Sequence, residues 1–269
     1  MPLDTTQSAP NPCLDTRPGP TVRDMSATVV VRETAPGIFT ARTPLANWLL
    51  AADGTDVLLI DSGYPGQVDA LVESLRLIGR RPEDVVAGIA THGHVDHIGG
   101  FAHLLTGLDF PVFALAAELP NLHREVLHQA DLKAIAPSLW RPRVARWSVA
   151  AMAAGGLRDV ALPNATTAEP DVALDLPLGP VLRAVPGHTP GSAVVHFPEL
   201  GLLASGDAAV TGHPALPGLD GALRDLPSFF QHDPELAWAG REAVSRMGAE
   251  VVVPGHGAVL RRGPGAVRS

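Results

Sequence analysis

The 269 residues include one cysteine, one tyrosine and a single lysine, Lys133, and aromatic residues make up only 4% of the chain. A lone Cys13 permits no intramolecular disulfide, which suits a reducing compartment, and a cytoplasmic location is expected. Twenty basic residues stand against 28 acidic ones, for a net charge of −8, and no basic patch stands out. A nucleic-acid partner is therefore not expected. No apolar run approaches the ~20 residues of a membrane span, so no membrane partner is expected either. The oligomeric state is not legible. The chain as a whole is 46% hydrophobic and poor in aromatics, enough for a sizeable and mostly aliphatic core.

Residues 1–25, rich in Pro, Thr and Asp, lack the basic and apolar regions of a signal peptide and read as a loose tail. Residues 26–269 read as a single domain. ATVVVRETAPGIFTARTP has the breaks of an edge hairpin, and NWLLAADGTDVLLIDSG reads as two strands about Asp53-Gly54. Val68, Leu71, Val72, Leu75 and Ile78 recur at helical spacing. Strand-like runs also precede residues 91–97, and IGGFAHLL after them reads as a helix. Across 119–170 the pattern turns helical, with Val144, Trp147, Ala151 and Ala154 on one stripe. Strands then resume. HDPELAWAGREAVSRMG reads as a helix capped by Asp233 with Pro234 first. The expected fold class is α/β: two similar halves, two packed sheets with helices outside, and a helical insert at 119–170.

Chemistry gathers where these strands end. THGHVDH carries His92, His94, Asp96 and His97; PGHTPGS carries His188; SGDA carries Asp207; PGHG carries His256. Alternate residues of a strand share a face, which would let His92 and His94 share one metal. Asp96 and His97, past the turn, would face a second. Glycines 187, 191, 206, 255 and 257 flank these positions and permit tight turns. Histidines 103, 123, 128, 196, 213 and 232 lie outside the motifs and are read as ordinary surface or core residues.

HGHVDH resembles the HxHxDH signature of the metallo-β-lactamase superfamily, and PGHTPGS, SGDA and PGHG resemble its later motifs in the same order. LLIDSG resembles its early motif, with Asp61. The resemblance covers roughly residues 29–260 apart from the insert. It implies an αββα sandwich and two metals per chain. His92, His94 and His188 would bind the first, Asp96, His97 and His256 the second, and Asp207 would bridge both. Asp61 would orient the site from behind. Zn²⁺ is expected, with Fe or Mn also compatible with these donors. The implied chemistry is hydrolysis of a small-molecule ester, thioester, lactone or amide by a metal-bridging hydroxide, with Asp96 and Asp207 catalytic.

Substrate class is less legible. Asp207 and the lack of a downstream cysteine argue against β-lactam hydrolysis. Glyoxalase II shares all seven ligand types, but its glutathione-binding region has no counterpart. Quorum-quenching lactonases carry a tyrosine soon after the bridging aspartate, whereas the single tyrosine here is Tyr64, near the early motif. The alternatives are a mononuclear iron enzyme resembling persulfide dioxygenases, holding its metal with His92, His188 and Asp207, or a β-lactamase. The insert is expected to form a substrate cap. Trp140, Trp147 and Met152, with Phe229 and Phe230 of the later loop, would supply apolar surface. Arg141, Arg143 and Arg146 would anchor an anion.

Overall fold

A strand between two apolar layers must be apolar at every position, and β4 (Asp56–Ile60, DVLLI) is so after its first residue. Its alternate side chains enter different cores: Val57 and Leu59 pack against helices, Leu58 and Ile60 against a second sheet. That alternation fixes the layer order of the molecule. A computed structural model describes residues 28–216 and 221–262. The tail read at 1–25, with Cys13, lies outside them.

The first sheet has seven strands in sequence order. β1 (Val30–Ala35), β2 (Ile38–Arg42), β3 (Asn47–Asp53) and β4 pair antiparallel. β5 (Val85–Ile89), β6 (Val112–Leu115) and β7 (Thr166–Ala168) continue parallel. Gly54, at φ 58°, closes the β3–β4 hairpin at the expected Asp-Gly turn. The second sheet orders β12 (Leu260–Arg261), β11 (Val251–Pro254), β10 (Leu202–Gly206), β9 (Ala193–Phe197) and β8 (Val181–Ala184). β12 follows the strand that had read as the last one.

Leu49, Leu58, Ile60 and Ile89 of the first sheet meet Leu182, Val195, Phe197, Leu202 and Val253 of the second in one buried layer. Outside the first sheet lie α1 (Val68–Leu77) and α2 (Val95–Leu104), burying Leu71, Leu75, Ile98 and Phe101. Val72, read as part of the buried stripe, is exposed; Ala70 and Ser74 complete the face instead.

The segment 119–170 is less helical than its pattern. It forms two single turns, α3 (Leu119–Leu122) and α4 (Leu132–Ile135), then α5 (Pro142–Ala153). Its end, β7, is a strand of the first sheet. The α5 stripe of Val144, Trp147 and Ala151, with Ala154 just beyond, is buried as its spacing requires. Outside the second sheet, α6 (Pro234–Arg246) buries Val244 against Leu203 and Val252. Asp233 caps it, accepting from the N–H groups of Glu235 and Leu236, both at 3.0 Å.

Candidate metal centre

β5 stops at Ile89, so His92 and His94 sit in the loop beyond it and not on the strand face that their spacing suggested. His94 immediately precedes α2, whose first turn carries Asp96 and His97. His188 follows β8, Asp207 follows β10 and His256 follows β11. Both sheets thus deliver their strand ends to one place. The ring centroids of His92 and His94 are 4.5 Å apart, those of His92 and His97 4.1 Å, and those of His94 and His188 4.6 Å. Donor atoms of His92, His94 and His188 form one convergent group, and those of Asp96, His97 and His256 another. Asp207 lies between: its carboxylate is 3.4 Å from His97 Nε2, 3.6 Å from His188 Nε2 and 3.3 Å from His256 Nε2.

Each ring is held from behind. His97 Nδ1 donates to Asp61 Oδ2 at 2.8 Å. The Thr91 hydroxyl donates to Asp61 Oδ2 at 2.9 Å, so it can accept from His92 Nδ1 at 3.1 Å. His188 Nδ1 donates to Gln231 Oε1 at 2.9 Å, and His256 Nδ1 to the Leu45 carbonyl at 2.7 Å. His94 is reversed, with Nε2 on the His128 carbonyl. These outer bonds fix which nitrogen of each ring faces inward, so that each ring, when neutral, turns a lone pair to the centre.

Inside, the polar atoms are not satisfied by one another. His92 Nε2, His97 Nε2 and Asp207 Oδ1 are buried without a hydrogen-bond partner. His94 Nδ1 and His188 Nε2 face each other at 3.0 Å with their lone pairs. Buried orphans of this kind cost ~1–3 kcal/mol each unless something cationic fills the space. Neutral imidazoles and carboxylates without thiolate fit divalent metal ions.

Electrostatics point the same way. Burial lowers His92 well below the ordinary histidine range and, with neighbouring His188, lowers His94 to about 3. Burial alone would also lower His97, but Asp207, Asp61 and Asp96 outweigh it and raise it to about 9. His256 rises for the same reason, through Asp207 and Asp96. Burial would raise Asp96 and Asp207, yet His97 and His256 hold both below the usual carboxylate range. The carboxylates at the centre thus call for positive charge, which a divalent ion supplies without protonating the rings.

Several contributors escaped the motif reading. Glu118, fully buried, accepts from Gly93 N at 2.7 Å, Asn121 Nδ2 at 2.7 Å, the Thr189 hydroxyl at 2.6 Å and Gly191 N at 3.0 Å. It ties the His92–His94 loop of one half to the loop after His188 in the other. Nothing in its surroundings in sequence marks it. Tyr64 is buried beside Asp96, and burial followed by Asp96 and Asp207 raises its pKa. His213 packs edge-on against His256 at 4.8 Å and Trp147 at 5.1 Å, and burial, with His256 beside it, lowers its pKa to about 3. Its Nδ1 accepts from Ala215 N at 3.1 Å. Position is the only sequence signal for these two: three residues after Asp61 and six after Asp207. Gly255 is required by packing, since a Cβ there would collide with Asp207 and His97.

A cavity of about 660 Å³ opens over Asp96, Asp207, His188 and His256. Trp147, Met152 and Phe230 line it, as anticipated for the cap. Trp140 does not: it is 76% exposed and lies outside the lining. Arg141, Arg143 and Arg146 are also outside; the bases at the cavity are Arg124, Lys133 and Arg158. The segments on either side of α5, with Arg124 and Lys133 before it and Arg158 after it, therefore supply what α5 was expected to supply, because α5 turns its apolar face inward and its arginines out.

This fold and this convergent set of histidines and carboxylates define the class of the metal-dependent hydrolases. The chain belongs to the metallo-β-lactamase superfamily, whose family model matches residues 42–256. It is 25% identical over 235 residues to the probable metallo-hydrolase YflN of Bacillus subtilis (strain 168), covering 84% of this chain and 85% of that one. It is 37% identical to the probable metallo-hydrolase YybB of the same organism over 84 residues, which are 31% of this chain and about a third of the relative (36%). Among solved structures, the metallo-β-lactamase SMB-1 superposes with a TM-score of 0.61 at 18% identity, over 87% of this chain and 82% of that chain. A metallo-β-lactamase family protein from Thermus thermophilus gives 0.60 at 22% identity, over 85% and 76%. These two likenesses concern the fold.

Proposed function

We propose that this chain hydrolyses a small-molecule ester, thioester or lactone with a dinuclear metal centre. The observation that carries the reading is the inward convergence of five histidine nitrogens and two carboxylates, each ring tied down from behind. His92, His94 and His188 would hold one metal, Asp96, His97 and His256 the other, and Asp207 would be shared. The donors suit Zn²⁺ and admit Fe or Mn. When bound, two such ions polarise a carbonyl and make water a competent nucleophile near neutral pH.

The remaining roles belong to the chain. Asp61 keeps the Nδ1 proton of His97 and, through Thr91, that of His92 turned outward. Gln231 and the Leu45 carbonyl do the same for His188 and His256. Asp96 is the less buried carboxylate and lines the cavity, so it can take the proton of the attacking water. As the new C–O bond forms and the ester C–O or thioester C–S bond breaks, Asp96 returns that proton to the leaving atom. Trp147 and Phe230, 5.2 Å apart, narrow the approach and keep bulk water from the carbonyl.

Relatives named metallo-hydrolases support hydrolysis as the reaction type. The test is a panel of thioesters, esters, lactones and β-lactams on metal-replete protein. Hydrolysis of a carbonyl substrate that stops on chelation and returns with metal supports the reading. Failure across the panel, with oxygen uptake on a persulfide, would replace it with the iron dioxygenase.

A further inference from the structure

The two ends of the cavity differ in chemistry. The floor is polar and buried, made by Asp96, Asp207 and the histidines. The open end is apolar and uncovered: Leu127, Leu132 and Leu157 are 63%, 53% and 64% exposed, although all three line the cavity. Exposed Met152 extends this wall, and buried Ile135 continues it inward. Leucines this exposed around a concave site are surface that a ligand can take out of water.

The rim also carries charge. Residues 132–158 hold five basic residues and no acidic one, in a chain of net charge −8. Two of the five, Lys133 and Arg158, line the cavity, and their charged side-chain groups have no ion-pair or hydrogen-bond partner among the described residues. Asp159 is paired with Arg124 at 3.6 Å, and Asp131, which caps α4 through Ala134 N at 2.8 Å, keeps its charge, so one carboxylate stands against the two cations. The balance at the mouth is therefore one net positive charge.

Resting on the hydrolase reading above, we infer that this site takes amphiphilic substrates: esters or thioesters with a hydrocarbon body against Leu127, Leu132, Met152 and Leu157, and an anionic group held by Lys133 and Arg158. A small polar ester would leave the leucine wall in water. A purely apolar one would leave that positive charge unanswered. A cavity of about 660 Å³ accommodates both parts together.

Calorimetric binding to the metal-loaded protein tests this, with decanesulfonate as the main probe because sulfonates are poor metal ligands. Decanesulfonate should bind at least about thirtyfold tighter than ethanesulfonate, a modest fraction of what eight buried methylenes can give. The double variant Lys133→Ala/Arg158→Ala, altered only at the rim, should weaken decanesulfonate about fivefold and leave decanol unchanged. Decanoate and decyl phosphate then tell whether carboxylate or phosphate is the preferred anion. Equal binding of the two sulfonates, or an unchanged affinity in the double variant, overturns the inference. The expected binding pattern with no ester cleaved would count against the hydrolase reading alone. Cleavage of esters without preference for chain or anion would count against the amphiphile alone.

Discussion

Asp61 Oδ2 lies 2.8 Å from His97 Nδ1, and Asp61 holds a positive φ of 58° to reach it. A non-glycine residue in that region carries backbone strain, which persists where surrounding structure insists on it. Here Thr91 insists, donating to Asp61 from both its N–H and its hydroxyl. One carboxylate thereby sets two histidines, one in each convergent donor group.

Asp61→Asn keeps the shape but weakens the acceptor for His97. Removing such an outer partner typically costs ~10–100-fold in metal affinity. Competition with a chromophoric chelator should show that loss in the variant, with folding intact by circular dichroism. Unchanged affinity would reduce Asp61 to a turn residue.

Glu118→Gln tests the tie between the halves. An amide offers one acceptor oxygen to a site that presents four donors, and its own N–H₂ then faces donors. A cost of ~2 kcal/mol is expected, lowering Tm by roughly 4–8 °C for a domain near this size. Because Gly93 and Thr189 flank His92, His94 and His188, the proposed ligands of one metal, metal release should also quicken. A Tm within a degree of wild type would show that the tie is not structural.

The cap gives a differential. Phe230→Ala should raise KM several-fold with both metals retained, since Phe230 lines the cavity and packs on Trp147 and His213. Trp140→Ala should leave KM alone, because Trp140 is outside the lining. Steady-state kinetics on any substrate from the panel decides; equal effects would mean that the cavity is not the substrate site.

His213 and Asp207 separate proximity from ligation. Asp207→Ala should abolish turnover and weaken at least one metal. His213→Ala should keep both metals and lower kcat/KM, since the His213 ring packs beside His256 without joining either donor group. His103→Ala and His196→Ala should change neither. Metal content and rates of the four variants decide this, and metal loss on His213→Ala would make it a ligand.

The layer order and the site's outline were legible because both depend on local pattern. The apolar strands, the Asp-Gly turn and the Asp233 cap are short-range signals that fall on the elements they suggested, and the histidine motifs fall just past strand ends. Long-range partners were not legible. Glu118, Gln231 and the Leu45 carbonyl meet their partners only after both sheets have formed, and ordinary residue types at those positions announce nothing. Tyr64 shows the limit from the other side. It lies far from the segment after Asp207 in sequence and yet is buried beside Asp96. Within the segment 119–170, where the pattern suggests helix, residues 123–131 run irregularly past the cavity with Arg124, Leu127 and Gln129 in the wall. Tertiary packing overrode propensity there.

The most direct measurement is the metal count of protein expressed with ample zinc, iron and manganese and purified without chelator. Two ions per chain, falling toward one in His94→Ala and in His256→Ala separately, is the result required by two complete donor groups sharing Asp207. A single iron per chain in the wild type, unaffected by His256→Ala, would contradict the dinuclear site and the hydrolytic chemistry built on it.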